Sequence, residues 1–257
     1  MHKVGSLNYE IIIGRHPVLT AIRMNRSIRE VLILRHAGGP VVRSIIEEAG
    51  KRDIPVRFGD QDSLDELAGD KGRHQGVLAI AEPKGYVSME EVIQLARDRG
   101  EAPLLVMLDS VQDPQNLGAI MRSAESFGVH GLVIPERRAC GVTPAVIKAS
   151  CGAWEYLPVA RVKNLSRAID LAKEQGLWIV GALAEAEKPI FDVDLRGSIG
   201  IVLGGEDRGI SRLAAEKCDF LVRIPTMGCV PSLNVSVACG IILYEAIRQR
   251  GTGILSR

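Results

Sequence analysis

The 257-residue sequence has no uninterrupted run of about eighteen apolar residues, so nothing in it reads as a membrane-spanning helix and no membrane partner is expected. Its opening, MHKVGSLNYEIIIGRHP, lacks a long apolar core followed by a small-residue cleavage site, and the expected compartment is cytoplasmic. Five cysteines, Cys140, Cys151, Cys218, Cys229 and Cys239, make an odd set without a C-x-x-C pair. That pattern suits neither a disulfide framework nor a zinc site, and the thiols read as reduced packing residues. The histidines at 2, 16, 36, 74 and 130 are too scattered for a ligand set, so no metal is expected. G-x-G-x-x-G is also absent, which removes the usual fingerprint of an NAD site.

What is present is a globular composition. Hydrophobic residues make up 46% and charged residues 25%, enough to build a sizeable core. The length exceeds a typical single domain of roughly 100 to 200 residues and suggests two. A net charge of +1 hides an uneven distribution. Residues 1–43 carry seven Lys and Arg against two acidic residues, whereas residues 44–70 carry three against eight. The first stretch could face phosphates; equally, the two could balance as solvated faces of one small domain.

Short β-rich runs alternate with helical patterns from the start. REVLILR (29–35), IPVRF (54–58) and GVLAIAE (76–82) read as strands, and 15–25, 40–52 and 62–68 as helices. This α/β unit is expected to end near Glu82. The following PKGYVSMEEVIQLARDRGEAP (83–103), with Pro and Gly at its start and Pro at its end, reads as a connector around a polar helix. A second series opens with LLVMLDSV (104–111) and a helix over 116–127. Strands follow at 131–135, 177–183, 200–205 and 220–225, with helices near 144–151, 164–175 and 234–249. Strands apolar along their whole length and separated by helices imply a parallel sheet covered on both faces.

Ligands of such sheets bind where loops leave the carboxyl ends of strands, and three such segments are polar or glycine-rich. In LDSVQDPQNLGAIMRSAESFG (108–128), Leu117, Ile120, Met121 and Ala124 share the core-facing side of a helix while Arg122 falls elsewhere. Asn116 there suits a helix cap. In IGIVLGGEDRGIS (199–211), Gly204 and Gly205 follow a buried strand directly, which permits close approach of a ligand or simply a tight turn. In RIPTMGCVPSLNVSVACGIILYEAIR (223–248), Ser232 or Asn234 caps a long helix whose start holds the small residues Ser236, Ala238 and Gly240.

Together these segments resemble the SpoU, or TrmH, family of RNA 2′-O-ribose methyltransferases in the SPOUT superfamily. The resemblance rests on N-x-x-x-x-x-R at Asn116 to Arg122, G-x-E at Gly204-Gly205-Glu206, and S-L-N-V-S at Ser232 to Ser236, in that order. GRHPVLTAI (14–22) and RHQGVLA (73–79) resemble the L30e-like substrate-binding domain of the subgroup that methylates a guanosine of 23S ribosomal RNA, although His16 stands where that subgroup usually has Asn. The resemblance implies an L30e-like domain over 1–82, a linker over 83–103, and a methyltransferase domain over 104–257 with a parallel sheet and a deep trefoil knot. Ribose methylation of tRNA, and a catalytically silent RNA-binding or ribosome-assembly factor, are the competing expectations; the extra N-terminal domain disfavours the first and the intact motifs the second.

The same resemblance implies S-adenosylmethionine as cofactor and a homodimer joined through the knotted domain. It nominates Arg122 as catalytic, with Asn116, Glu206, Ser232 and Asn234 organising the site, and Gly204, Gly205, Ile224 and Leu233 around the adenine and ribose. Arg122 is either the base for the ribose hydroxyl or a permanent cation that binds phosphate and stabilises the developing alkoxide. A guanidinium pKa above about 12 favours the second. In the N-terminal unit, Arg15, Lys71, Arg73 and His74 are candidate RNA contacts, with packing the plain alternative for His74.

Overall fold

The computed structural model describes residues 9–69, 74–205, 209–229 and 232–251. They fall into two compact units, one reaching to Gly85 together with Pro144–Tyr156, the other comprising Tyr86–Thr143 and the chain from Leu157 onward.

The first unit runs β1 (Glu10–Ile13), α1 (Arg15–Arg23), β2 (Ile28–Leu34), α2 (Pro40–Gly50), β3 (Val56–Gly59), α3 (Gln61–Ala68) and β4 (Val77–Ala81). Its sheet has the order β1-β4-β2-β3, with β2 and β3 parallel and β4 antiparallel to both neighbours. Alternate residues of β2, Val31 and Ile33, are buried and pack with Val18 and Ile22 of α1 and with Val42 and Ile45 of α2. Asp60 caps α3 by accepting from Ser63 N, and Gly69 ends it in the left-handed region.

Two short helices from much later in the chain, α6 (Pro144–Ala149) and α7 (Ala153–Tyr156), complete this unit. Buried charge secures them. Arg26 pairs with Glu155 of α7 at 2.5 Å and also with Glu10, while Lys84 donates to the Trp154 carbonyl and lies 4.6 Å from the centre of its ring. Burial raises the Glu155 carboxyl above its ordinary range and pushes the Lys84 ammonium down to about 8. Removing one partner of such a buried pair costs about 3–5 kcal/mol, because the other charge is left without compensation.

In the second unit the stretch expected as a connector supplies a packed helix, α4 (Met89–Asp98). Ser88 and Glu91 form a reciprocal capping box at its start, and Met89, Val92, Ile93 and Ala96 bury one face. That apolar spacing of three, one and three is the helical period, hidden among the charged residues of the opposite face. β5 (Leu104–Asp109), α5 (Pro114–Ser126), β6 (Gly131–Pro135), β7 (Val159–Val162), α8 (Leu165–Glu174), β8 (Trp178–Ala182), β9 (Lys188–Pro189), β10 (Ile199–Gly204), α9 (Arg212–Lys217), β11 (Phe220–Arg223) and α10 (Val235–Arg250) follow.

The seven strands form one sheet in the order β7-β6-β5-β10-β8-β11-β9, and every pair is parallel. Leu105, Met107, Val133, Ile179 and Val202 bury one face beneath α4, α8 and α9. On β5 all six residues are buried, as expected where both faces are covered. α5 and α10 pack on each other, α5 also on β6 and α10 on β10. The chain builds outward from β5 through β6 to β7 and then returns to the other side, so the order reverses beside β5, where sheets of this class hold ligands.

Candidate active site

At the carboxyl end of β10 the backbone leaves no room for side chains. A Cβ on Gly204 would lie 1.8 Å from the Gly209 carbonyl carbon, and one on Gly205 would lie 2.3 Å from the Ser110 oxygen. Space, not backbone conformation, demands glycine here, since neither residue has positive φ. Asp109, the last residue of β5, organises the turn. Its carbonyl accepts from Gly205 N at 2.7 Å, and its carboxylate accepts from Ser211 N at 2.8 Å and from Ser110 Oγ at 3.1 Å. Gly209 N donates back to the Gly205 carbonyl at 3.0 Å. Ser110 itself sits at φ +64, a region that non-glycine residues occupy only when neighbours hold them there. The sequence reading passed over Asp109; an acid ending an otherwise wholly apolar strand was the signal available.

This glycine turn forms one side of a cavity of about 610 Å³ whose other walls come from the turns after β8 and β11 and from the start of α10. Gly204, Gly205, Ile224, Leu233 and Ser232 all line it, alongside the apolar Ala182, Leu203 and Val222. A cavity of this size, with aliphatic side chains and at least as much polar as apolar surface, fits a nucleoside-sized ligand. The charged residues in its lining, among the described residues, are Glu185 and Arg223, both missed from sequence. Arg223 donates to the carbonyls of Ala186 and Glu187, so its guanidinium is spent on the turn after β8.

Asn234 and Asn116 meet beside this cavity's α10 wall. Asn234 Oδ1 caps α10 by accepting from Ser236 N at 2.9 Å, which leaves its Nδ2 to donate to Asn116 Oδ1 at 3.0 Å. The cap of α5 is Asp113, which accepts from Gln115 N, and not Asn116 as the sequence suggested. Asn116 instead links α5 to α10 through Asn234, 118 residues away. Leu117, Ile120, Met121 and Ala124 are buried as the helical spacing predicted, and Arg122 is on the exposed side of α5. Glu206 lies outside the described residues.

The candidate RNA contacts of the first unit fare differently. His74 is 2% exposed, its Nδ1 accepting from Gly76 N and its Nε2 facing Asp65 at 3.2 Å, which makes it a packed residue and no phosphate ligand. Arg15 donates from Nε to the Gln75 carbonyl at 2.9 Å and from Nη1 to the Gly38 carbonyl at 3.1 Å, so part of its donor set already serves the loops around it. Lys71 and Arg73 lie outside the described residues. All five cysteines are free. Burial pushes Cys218 and Cys239 up to about 12, but Cys151 and Cys229 are exposed, so the packing reading does not extend to them.

Residues 103–244 match the SpoU rRNA Methylase family, and residues 11–87 match the RNA 2′-O ribose methyltransferase substrate-binding family. The chain belongs to the SpoU family. It is 38% identical to a putative TrmH family tRNA/rRNA methyltransferase, YacO, of Bacillus subtilis over 95% of this chain and 98% of the relative. It is 47% identical to the 23S rRNA (guanosine-2′-O-)-methyltransferase RlmB of Coxiella burnetii over 81% and 83%. Among solved structures, the SpoU methyltransferase AviRb of Streptomyces viridochromogenes, in complex with the cofactor AdoMet, superposes with a TM-score of 0.79 at 26% identity, covering 95% of this chain and 91% of that one. The SpoU match spans the strand ends that carry the glycine turn, the asparagine pair and the cavity. Among the described residues no group of three His, Cys, Asp or Glu could hold a metal, and no helix is long and apolar enough to cross a membrane.

Proposed function

We propose that this SpoU enzyme methylates the 2′-hydroxyl of a guanosine ribose in 23S ribosomal RNA, using S-adenosylmethionine held in the cavity beside Gly204 and Gly205. One observation carries the reading. Two of the three post-strand segments that the sequence nominates, those after β10 and β11, line a single cavity, and the third reaches its α10 wall through the Asn116–Asn234 hydrogen bond. The 47% identity to a 23S guanosine methyltransferase supports the choice of substrate.

S-adenosylmethionine supplies an activated methyl group, so the chain's own task is to position and polarise a hydroxyl. Ile224 and Leu233 offer apolar surface to an adenine, and the glycines admit a ligand to the backbone. Asn116 and Asn234 hold the starts of α5 and α10 in register, which fixes the helix that carries Arg122. Arg122 keeps its charge, binds the RNA phosphate and stabilises the alkoxide as the hydroxyl loses its proton, since deprotonating a guanidinium at neutral pH is too costly. Ser232 and Glu206 complete the arrangement.

α10 supports a homodimer. Val235, Cys239, Ile242, Leu243 and Ala246 bury one side of it, yet Val237, Ile241 and Tyr244 leave a second apolar stripe 50%, 38% and 61% exposed. A helix apolar on two sides is normally covered on both. The knotted path of the SPOUT superfamily and a cytoplasmic location belong to the same reading. The test is methyl incorporation into purified 23S RNA and bulk tRNA, followed by mapping of 2′-O-methyl sites in ribosomal RNA with and without the protein. R122A should lose methyl transfer by at least a hundredfold while binding S-adenosylmethionine within about twofold of the parent. Near-normal turnover would reject the assignment of Arg122.

A further inference from the structure

We infer that Glu185 is a cofactor-specificity residue: its carboxylate accepts hydrogen bonds from the ribose hydroxyls of S-adenosylmethionine. The inference rests on the cofactor reading above and extends it to a residue that none of the three sequence motifs contains.

The argument starts from strand order. Across the sheet, β5, β10, β8 and β11 lie side by side, and the turn after β8 therefore leaves the middle of the site. On one side of it are the glycine turn after β10 and the Asn116–Asn234 pair; on the other is Ile224, after β11, where an adenine finds apolar surface. The part of the cofactor that joins adenine to the sulfonium is the ribose, and Glu185 lies on the central turn.

Chemistry supports the same match. The lining side chains are mainly aliphatic and Glu185 is the carboxylate among them in the described residues, so a vicinal diol placed there finds its charged acceptor in that side chain. One carboxylate presents two oxygens to two hydroxyl donors and makes charge-assisted hydrogen bonds, the same solution that ribose-binding acids use in dinucleotide folds. Arg223, the other charged residue in the lining, cannot neutralise it cheaply, because it is committed to the Ala186 and Glu187 carbonyls. That commitment also anchors the turn directly after Glu185. Among the described residues no hydrogen bond or ion pair engages the Glu185 side chain, which is exposed at the cavity wall and available to a ligand.

Calorimetric titration of the full chain with S-adenosylmethionine, S-adenosylhomocysteine and the 2′-deoxy and 3′-deoxy forms of the latter tests this. E185A should weaken both natural ligands about equally, by roughly tenfold to a hundredfold, and E185Q by less, with the unfolding temperature unchanged. For a ligand already lacking a ribose hydroxyl, E185A should cost markedly less, because the interaction has been removed from the other side. Equal binding by parent and E185A overturns the assignment, and a loss confined to S-adenosylmethionine overturns it in favour of a contact with the sulfonium. A parent protein that binds none of these ligands overturns the cofactor reading itself.

Discussion

Gly204→Ala is the sharpest perturbation available, because a single methyl group meets backbone on the far side of the turn. The added Cβ would stand 1.8 Å from the Gly209 carbonyl carbon and 2.1 Å from Ile210 N, whereas ordinary contact begins at 3.4 Å. The 209–210 backbone must therefore retreat by about 1.6 Å. It cannot retreat alone, since Gly209 N is bonded to Gly205 O and the next residue, Ser211, is bonded through its N–H to the Asp109 carboxylate. Overpacking of this kind costs about 1–3 kcal/mol, and each backbone hydrogen bond stretched open adds about 0.5–1.5 kcal/mol. A total near 3 kcal/mol corresponds to a fall of roughly 6–12 °C in the unfolding temperature for a chain of this size. Because the same backbone borders the cavity, S-adenosylmethionine affinity should fall at least tenfold with it. Calorimetric unfolding and cofactor titration on the same preparation measure both. An alanine variant with parental melting and parental affinity would refute the claim that steric exclusion, rather than chance, keeps glycine at this position.

Other consequences are equally direct. Lys84 titrates near 8 in the folded chain against an ordinary 10.5, so between these values the unfolded chain retains a proton that the folded chain has released. Its contribution to stability is therefore present above pH 10.5 and lost as the pH falls through 8, a swing of roughly 3 kcal/mol, and K84M should flatten the rise in urea midpoint over that window. Ile241→Glu, on the exposed stripe of α10, should shift sedimentation from dimer to monomer without lowering helical content; an unchanged dimer would move the interface elsewhere. N234A should cost about 1 kcal/mol through the lost cap and also slow methyl transfer, and N116A should slow transfer with little effect on melting.

Much of the architecture was readable in one dimension. The apolar runs at 104–109, 131–135 and 199–204 became parallel strands because nothing polar interrupts them, and the buried side of α5 followed from helical spacing alone. Two four-residue strands, β1 and β7, escaped, although β3 and β11, equally short, were legible in their β-rich runs. Partner choice escaped as well. That α6 and α7 join the first unit depends on Arg26 meeting Glu155, and no local pattern announces a contact 129 residues distant. Of the site, Gly204, Gly205, Ile224, Ser232 and Leu233 line one cavity, whereas Glu185 and Arg223 emerge as its charged residues only once the strand order is known. His74 shows the converse, a polar residue whose sequence neighbours are basic but whose spatial neighbours are Gln61 and Asp65.

The excursion of residues 144–156 into the first unit has a consequence for how that unit comes into being. A ribosome that has made the chain as far as Gly85 has supplied every strand of the four-stranded sheet and the Arg26–Glu10 pair, yet Arg26 and Lys84 still await Glu155 and the Trp154 carbonyl. At about 5–20 residues per second, the missing helices arrive roughly 4–14 s later. During that interval two cations, Arg26 and Lys84, would share the single carboxylate of Glu10, and an apolar surface would stay uncovered. Excising the N-terminal unit by cutting after Gly85 would make that interim condition permanent, so a well-behaved fragment needs residues 144–156 grafted back.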